Sequence, residues 1–378
     1  MSIEKVKNLC CGCSACVNIC PFNALETKRS SDGFLYPAVS RKNCSNCGLC
    51  ESVCPVLNEG KKPYPIEAYY GRAKDSTIVK KSSSGGIFSV IAEKVIKNGG
   101  VVFGAAFDKK SKEVVIESTE NVSLEALRRS KYVESNPKDS FKRVKKLLDS
   151  GIYVFFMGLP CEVSGLKMYL KREYDNLLTA DFLCGGAASS KYFREHLNYL
   201  EKKYKSTVES VNFRPKLYGW KEHSFKVDFE SGAEYKSYAY LDTYFRGFVF
   251  EKALIRDCCY NCMFSGGHDS DIILADFWGY KQLENQQQID DKGTSLIMAN
   301  TQKGIDFVKM SEDELICTQL PLEYISYAFK SGNDLIGKKQ KFLSLYERYG
   351  FEKAAKKAYM SGCLKFRVKK FIKRVIGK

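Results

Sequence analysis

Eight of the cysteines in the first 55 residues repeat one spacing. Cys10, Cys13, Cys16 and Cys20 are followed by Pro21, and Cys44, Cys47, Cys50 and Cys54 by Pro55, so both runs read Cys-x2-Cys-x2-Cys-x3-Cys-Pro. That spacing holds a pair of 4Fe–4S clusters. Three thiolates on one tight loop reach three corners of an iron–sulfur cube, and the fourth, on the helix that follows, points to the other cube. The first cluster is therefore expected on Cys10, Cys13, Cys16 and Cys54, and the second on Cys44, Cys47, Cys50 and Cys20. A structural zinc would use two separated Cys-x2-Cys pairs, which fits two intact runs poorly. Cys11 lies outside the pattern and reads as packing or a spare thiol.

Four further cysteines sit where chemistry commonly sits. Cys161 follows an apolar strand pattern in Met-Gly-Leu-Pro-Cys and opens a helix, Cys184 ends another strand in Leu-Cys-Gly-Gly, and Cys259 and Cys262 form a Cys-x2-Cys pair. Loops at the carboxyl ends of parallel strands converge on one crevice, where four thiolates would suit a third cluster. Spacing alone leaves open the plainer reading, in which isolated cysteines are small buried apolar residues.

The elements that must position these groups follow from periodicity. Residues 1–60 form an α+β ferredoxin-like unit, and Lys61–Pro65 begins a linker over 61–66. From Glu67 strands and helices alternate: strands at 69–73, 101–107, 152–157 and 177–183, and helices from Ile87 to Asn98 and over 138–150, 163–170 and 190–204. Such alternation predicts an α/β domain with a mainly parallel sheet over 67–345. Shorter strands follow Val208, with a helix near 241–250. Residues 346–378 read as a basic amphipathic tail. Leu364, Val368, Phe371, Ile372, Val375 and Ile376 share one helical face, and Lys365, Arg367, Lys369, Lys370, Lys373 and Arg374 fill much of the rest. Such a tail suits either a peripheral contact with an anionic membrane or docking on the protein's own core.

Composition bounds the class. The chain has 378 residues, 44% apolar and 13% aromatic, which excludes disorder and allows two or three domains. Its 16 cysteines follow metal spacing and its start, MSIEKVKNLCC, shows no apolar signal core, so a reducing cytoplasm is the expected home. No apolar run is long enough to span a bilayer. Lys plus Arg total 60 against 44 Asp plus Glu, a net charge of +16, which favours an acidic electron-carrier protein such as ferredoxin or flavodoxin as partner. No nucleic-acid-binding motif accompanies the charge.

Seven blocks together resemble a known family: Ser-Ser-Gly-Gly-Ile-Phe (83–88), Gly-Leu-Pro-Cys-Glu-Val-Ser-Gly-Leu-Lys (158–167), Asp-Phe-Leu-Cys-Gly-Gly (181–186), Asn-Phe-Arg-Pro-Lys (212–216), Cys-Tyr-Asn-Cys-Met-Phe (259–264), Asp-Ile-Ile-Leu-Ala-Asp-Phe-Trp-Gly (271–279) and Lys-Gly-Thr-Ser-Leu-Ile (292–297). In order and spacing they look like the family of coenzyme F420 hydrogenase/dehydrogenase beta subunits. The resemblance implies FAD and a 4Fe–4S cluster beside it, with Cys161, Cys184, Cys259 and Cys262 as ligands and Cys258 as a substitute for Cys259. Gly185, Ala275 and Leu159 stand where many relatives have histidine, glycine and threonine. These departures leave the cluster intact and bear on the substrate.

A flavin would bridge one-electron clusters and a two-electron reduction. Ser84, Gly85 and Gly86 suit its phosphates, because glycines let backbone N–H groups approach an anion at a helix start; a plain helix start is the competing reading. Gly158, Pro160 and Gly165 could line the same crevice or serve a tight turn. Arg214 and Lys216 could hold a substrate or flavin phosphate, or form a solvated edge. Asp276 and Trp278 close the site or pack, His268 relays protons or is incidental, and His196 is structural. The expected function is an iron–sulfur flavoprotein reductase carrying electrons from reduced ferredoxin or flavodoxin to an organic small-molecule substrate, in cell-surface polysaccharide metabolism by family context. The alternatives are a non-catalytic electron-transfer protein feeding a partner enzyme, or one of the subunits of a coenzyme F420 oxidoreductase.

Overall fold

A computed structural model describes residues 3–58, 60, 62–283, 289–329 and 336–360. The basic amphipathic stretch at 364–376 lies outside the described residues. After a 3-10 turn at Ile3–Leu9, the N-terminal unit holds α1 (Ala15–Ile19), the antiparallel hairpin β1 (Leu25–Arg29) and β2 (Leu35–Val39), and α2 (Leu49–Ser52). The larger part begins with β3 (Glu67–Ala73), α3 (Ser76–Lys81), α4 (Ile87–Lys97), β4 (Val101–Asp108), β5 (Glu113–Ser118), α5 (Leu124–Leu127) and β6 (Ser135–Asn136). It continues with α6 (Ser140–Asp149), β7 (Val154–Met157), α7 (Pro160–Leu170), β8 (Leu177–Phe182) and α8 (Ser190–Tyr204). A small antiparallel sheet of β9 (Val208–Asn212), β10 (Ser224–Phe229) and β11 (Glu234–Tyr238) follows, then α9 (Thr243–Phe245) running into a π turn at Arg246–Phe250. The remaining elements are β12 (Ile272–Asp276), β13 (Ser295–Ala299), α10 (Gln302–Lys309), β14 (Leu315–Leu320), α11 (Ile336–Tyr349) and α12 (Phe351–Tyr359).

Nine strands form the main sheet in the order β14-β3-β13-β12-β8-β7-β4-β5-β6. The expected mainly parallel sheet is in fact mixed. Strands β4, β7, β8 and β12 are parallel, as is the short β5–β6 pair, while β4–β5, β12–β13, β13–β3 and β3–β14 are antiparallel. The reason is connection type. Crossover helices such as α7, between β7 and β8, give parallel neighbours, whereas β4 returns directly into β5 through a tight turn at 109–112. Side chains alternate across the sheet. Val154 and Phe156 of β7 face the layer of α6 and α7, and Phe155 faces that of α4. On α4, Ile87, Val90, Ile91 and Val95 bury one stripe at helical spacing.

One boundary drawn from the sequence is displaced by packing. The division at 345/346 falls inside α11, and Phe342, Phe351, Ala354, Ala355 and Tyr359 are buried with α8 and the small sheet. The described part of the expected tail, up to 360, therefore belongs to the core. The N-terminal unit is also no tethered bead. Cys13, Ala15 and Val53 share one buried cluster with Phe141, Phe156 and Val163. In the segment 62–66, Lys62 Nζ reaches Asp269 Oδ2 at 2.5 Å and Ser164 Oγ at 3.2 Å, and Ile66 N–H donates to the Ala299 carbonyl at 2.7 Å, so that stretch is pinned.

A buried cation completes the junction. Arg256 donates from Nη1 to the Leu35 carbonyl at 2.9 Å and from Nη2 to Glu134 Oε2 at 2.7 Å, and lies over the Phe34 and Tyr36 rings. Arg29 of β1 donates to the other Glu134 oxygen at 2.9 Å. Gly12, at φ +79°, makes room for this guanidinium; a Cβ there would sit 2.6 Å from Nη2. Among the described residues no helix is long and apolar enough to cross a membrane.

Candidate functional site

The N-terminal cysteines gather around two small cavities. Cys10, Cys13, Cys16 and Cys54 line one, together with Cys11, Ile3 and Tyr36. Cys20, Cys44, Cys47 and Cys50 line the other, at a more open position where Cys47 is exposed. The fourth cysteine of each run thus sits with the other run's loop. Left-handed residues curl these loops: Gly12 and Ser14 in the first, Asn46 and Gly48 in the second. The donor chemistry fits an iron–sulfur cluster. Burial, with Cys11 nearby, pushes the Cys10 thiol up to about 12, and burial likewise raises Cys16 and Cys54. Thiolates in such a place need a bound cation's positive charge. Among the described residues no three His, Cys, Asp or Glu side chains converge tightly enough for a single metal ion. A four-iron cube spreads its four thiolates over its corners and does not need that convergence.

The second cysteine set also comes together. Cys161 sits in the first turn of α7, Cys184 follows β8, and Cys259 and Cys262 lie on the loop that starts with the turn Asp257–Cys259. The Cys184 thiol lies near those of Cys259 and Cys262, and Cys161 lies near Cys184. Backbone N–H groups point at the sulfurs: Gly186 to Cys184 at 3.3 Å and Ala187 to Cys259 at 3.5 Å. Cys258 Sγ donates to the Cys10 carbonyl at 3.4 Å, and its thiol also contacts that of Cys259, so it stays beside the set.

Beside this set opens a cavity of about 400 Å³ at the carboxyl ends of β4, β7, β8 and β12. Cys184 lines it, so the cavity and the thiol set share a wall. Gly158, Leu159 and Glu162 come from the β7–α7 turn, and Ser83, Ser84 and Gly86 from the start of α4. Glu162 caps its own helix by accepting from the Leu159 N–H at 2.8 Å, and burial pushes its carboxyl up to about 7. Two cations sit near α4. Ser83 Oγ accepts from the Ser130 N–H at 2.9 Å, which brings the flanking Arg129 and Lys131 into the cavity wall. Burial and then Arg129 push Lys131 down to about 7.

Not every expected residue faces the cavity. Gly85 N–H donates to Ser295 Oγ at 3.0 Å, and a Cβ on Gly85 would meet the Gly71 carbonyl at 2.5 Å. Its small size serves close approach to β3, not to a ligand. Pro160 is buried as the first residue of α7 and Gly165 packs against Cys13; neither is in the cavity wall. Lys216 Nζ is occupied by the Val79, Ser84 and Lys292 carbonyls at 2.8, 2.7 and 2.6 Å. His268 is buried in a 2.7 Å contact with Asp181.

Arg214 does line the cavity, 3% exposed, and donates to Asp276 Oδ2 at 2.8 Å and Tyr132 Oη at 3.3 Å. Burial works against its charge, and Asp276 and Tyr132 together more than offset that. Asp276 also accepts from Trp220 Nε1 at 2.6 Å, and Trp220 stacks on Trp278 with centroids 4.6 Å apart. Sequence reasoning missed His223. Its Nδ1 is buried with no partner among the described residues, and it lines the cavity beside Trp278. Burial and then Arg214 push it down to about 4, so it is neutral near pH 7. It belongs to no motif; being one of only three histidines was the sole signal.

Residues 153–322 match the family model for the C terminus of the coenzyme F420 hydrogenase/dehydrogenase beta subunit, and residues 9–58 match a 4Fe-4S dicluster domain. The chain is 21% identical over 190 residues to one of the subunits of the F(420)H(2) dehydrogenase of Methanosarcina mazei, covering 47% of this chain and 53% of that one. It is 26% identical over 209 residues to an uncharacterised protein of Methanocaldococcus jannaschii, covering 45% and 55%. The chain spans about half the length of these curated relatives. Among solved structures, a chain of the F420-reducing [NiFe] hydrogenase complex from Methanosarcina barkeri aligns with TM-score 0.47 and 17% identity, covering 76% of this chain and 94% of that one.

Proposed function

We propose a function on the premise that this chain belongs to the family of coenzyme F420 hydrogenase/dehydrogenase beta subunits and carries a 4Fe–4S dicluster domain at its N-terminus. It is an iron–sulfur electron-transfer protein that works with a partner oxidoreductase, and its large cavity is where one-electron carriers meet a two-electron organic acceptor. One observation carries this reading: the two N-terminal thiol cavities share Ile3 as a wall, Cys13 packs on α7, the helix that carries Cys161, and the third set reaches exposed Cys184 in the wall of the large cavity. A flavin, as the family resemblance implies, would supply the change from single electrons to pairs. The cavity volume of about 400 Å³ lies in the range of small-molecule and cofactor sites. Ser84, Gly86 and Arg129 would hold phosphates, while Lys131 Nζ is occupied by the Ala126 and Arg128 carbonyls. Arg214, fixed by Asp276, and neutral His223 would hold the polar edge of a ring, and Trp278 would exclude water from it. A third 4Fe–4S cluster would be held by Cys161, Cys184, Cys259 and Cys262. The partner protein, a ferredoxin or flavodoxin or a larger oxidoreductase, would dock at the Cys47 end, where the N-terminal thiols come closest to the surface.

The test is anaerobic purification of the full chain with iron, sulfide and flavin assays, followed by addition of coenzyme F420 and a chemical electron donor. The reading expects about twelve irons per chain, flavin released on denaturation, and loss of the F420 absorbance. Iron without flavin, and no reaction with F420, would leave a cluster-only electron carrier.

A further inference from the structure

The C-terminal helices turn a set of uncompensated cations to solvent. On α12, Phe351, Ala354, Ala355 and Tyr359 are buried, and Lys353, Lys356 and Lys357 are exposed on the opposite side. Lys356 Nζ lies 5.4 Å from the Tyr199 ring of α8, whose next turn carries exposed Lys202 and Lys203. Lys357 Nζ and the Arg348 guanidinium lie 4.9 and 5.1 Å from the Tyr349 ring of α11. Three helices therefore share one basic face. Among the described residues none of these cations forms an ion pair with a carboxylate. The acids of the same helices turn elsewhere: Glu352 to His196 at 2.6 Å, Glu201 to Lys112 at 2.5 Å and Glu195 to Tyr346, with exposed Glu347 the exception. Past Met360 the sequence holds no Asp or Glu, and its basic residues are interspersed with Leu364, Val368, Phe371 and Ile372.

We propose that this face of α8, α11 and α12 is a docking surface for the anionic headgroups of a phospholipid bilayer, which it binds peripherally. Charge complementarity carries the choice of partner. A cation without a carboxylate of its own gains on approach to a negative leaflet, and each one strengthens the hold about fivefold. Tyr199 and Tyr349 suit the headgroup level, where a ring with an apolar body and a polar tip meets both oil and water. The apolar residues interspersed beyond Met360 suit the acyl boundary beneath the headgroups, which nucleic acid lacks. The inference goes beyond the electron-transfer reading and does not depend on any cluster or flavin.

The test is co-sedimentation of the full chain with vesicles of phosphatidylcholine, alone or mixed in equal parts with phosphatidylglycerol. Wild type should bind the mixed vesicles and not the neutral ones, and high salt should release it by screening. Joint replacement Lys353→Gln, Lys356→Gln and Lys357→Gln should lower the partition about a hundredfold, and Lys202→Gln with Lys203→Gln about thirtyfold. All five side chains are exposed, so melting and iron content should stay at wild-type values. The control is Lys80→Gln with Lys97→Gln, exposed on α3 and α4 across the main sheet from α8, and it should bind as wild type does. No binding of wild type to mixed vesicles would overturn the proposal. Undiminished binding in both test variants would place the contact beyond Met360 alone and overturn the face. An equal loss in the control would make it a matter of net charge. A tighter hold on duplex DNA than on the mixed vesicles, lost in the same variants, would give the face to nucleic acid instead.

Discussion

Replacing Arg256 with methionine should open the junction between the N-terminal unit and the rest of the chain. Arg256 and Glu134 are each 2% exposed and joined at 2.7 Å, and Arg256 also holds the Leu35 carbonyl. Breaking a buried pair from one side costs about 3–5 kcal/mol, because the remaining charge stays buried without its partner. Here Glu134 keeps Arg29 at 2.9 Å and Ser190 Oγ at 3.1 Å, so the low end, about 3 kcal/mol, is expected. At about 1.4 kcal/mol per tenfold, that raises the open population about a hundredfold. The assay is limited proteolysis of the reconstituted full chain, followed at cleavage sites in the pinned segment 62–66, under conditions where cleavage tracks the open population. Glu134→Gln should show at least as large a rise, since its single carbonyl oxygen can serve only one of the two arginines and its NH2 turns a donor toward the other. The double variant should be less harmed than the sum of the singles, with a coupling of about 0.5–3 kcal/mol. Cleavage rates within about threefold of wild type for Arg256→Met would refute the reasoning, because a desolvated ion pair cannot be broken at so small a cost.

Other substitutions separate ligand from scaffold. Cys262→Ala should remove about four irons per chain and leave the N-terminal pair's spectrum intact, as read by iron assay and paramagnetic resonance. Gly85→Ala should lower stability and flavin content together, because its Cβ would strike the Gly71 carbonyl; normal melting with lost flavin would return Gly85 to the phosphate site. Gly86→Ala, at φ +90°, should cost about 1 kcal/mol in thermal or chemical unfolding. His196 supplies a pH test. Burial opposes its charge, but Asp242, with its Oδ2 2.9 Å from Nε2, and Glu352, at 2.6 Å from Nδ1, more than offset that and hold its pKa up at about 10. A folded-state pKa above the unfolded value near 6.5 gives stability that is full below about pH 6.5 and fades as pH rises toward 10. Melting temperatures between pH 6 and pH 10 should fall more steeply in wild type than in His196→Gln.

The chain's own order of residues determined the local features. Two cysteine runs, each within eleven residues, specify their loops because spacing along the chain is spacing in space when a loop is tight. The apolar stripe of α4 and the alternating strands β4 and β7 were equally legible, since helix and strand periods act between near neighbours. What lies far apart in sequence was decided only by folding. The mixed sheet depends on which strands return by a direct turn and which by a crossover, and periodicity is the same for both. Gly85 and Gly86 look alike in sequence, but one meets β3 and the other turns into α4. His223 and Lys131 carry no motif and gain their place from burial in a wall built by loops far apart in the chain. Cys13 of the first run meets Gly165 only once α7 is laid against α1. The pairing of Arg256 with Glu134, 122 positions apart, then locks that contact, because a buried charge is stable only where its partner has already been brought.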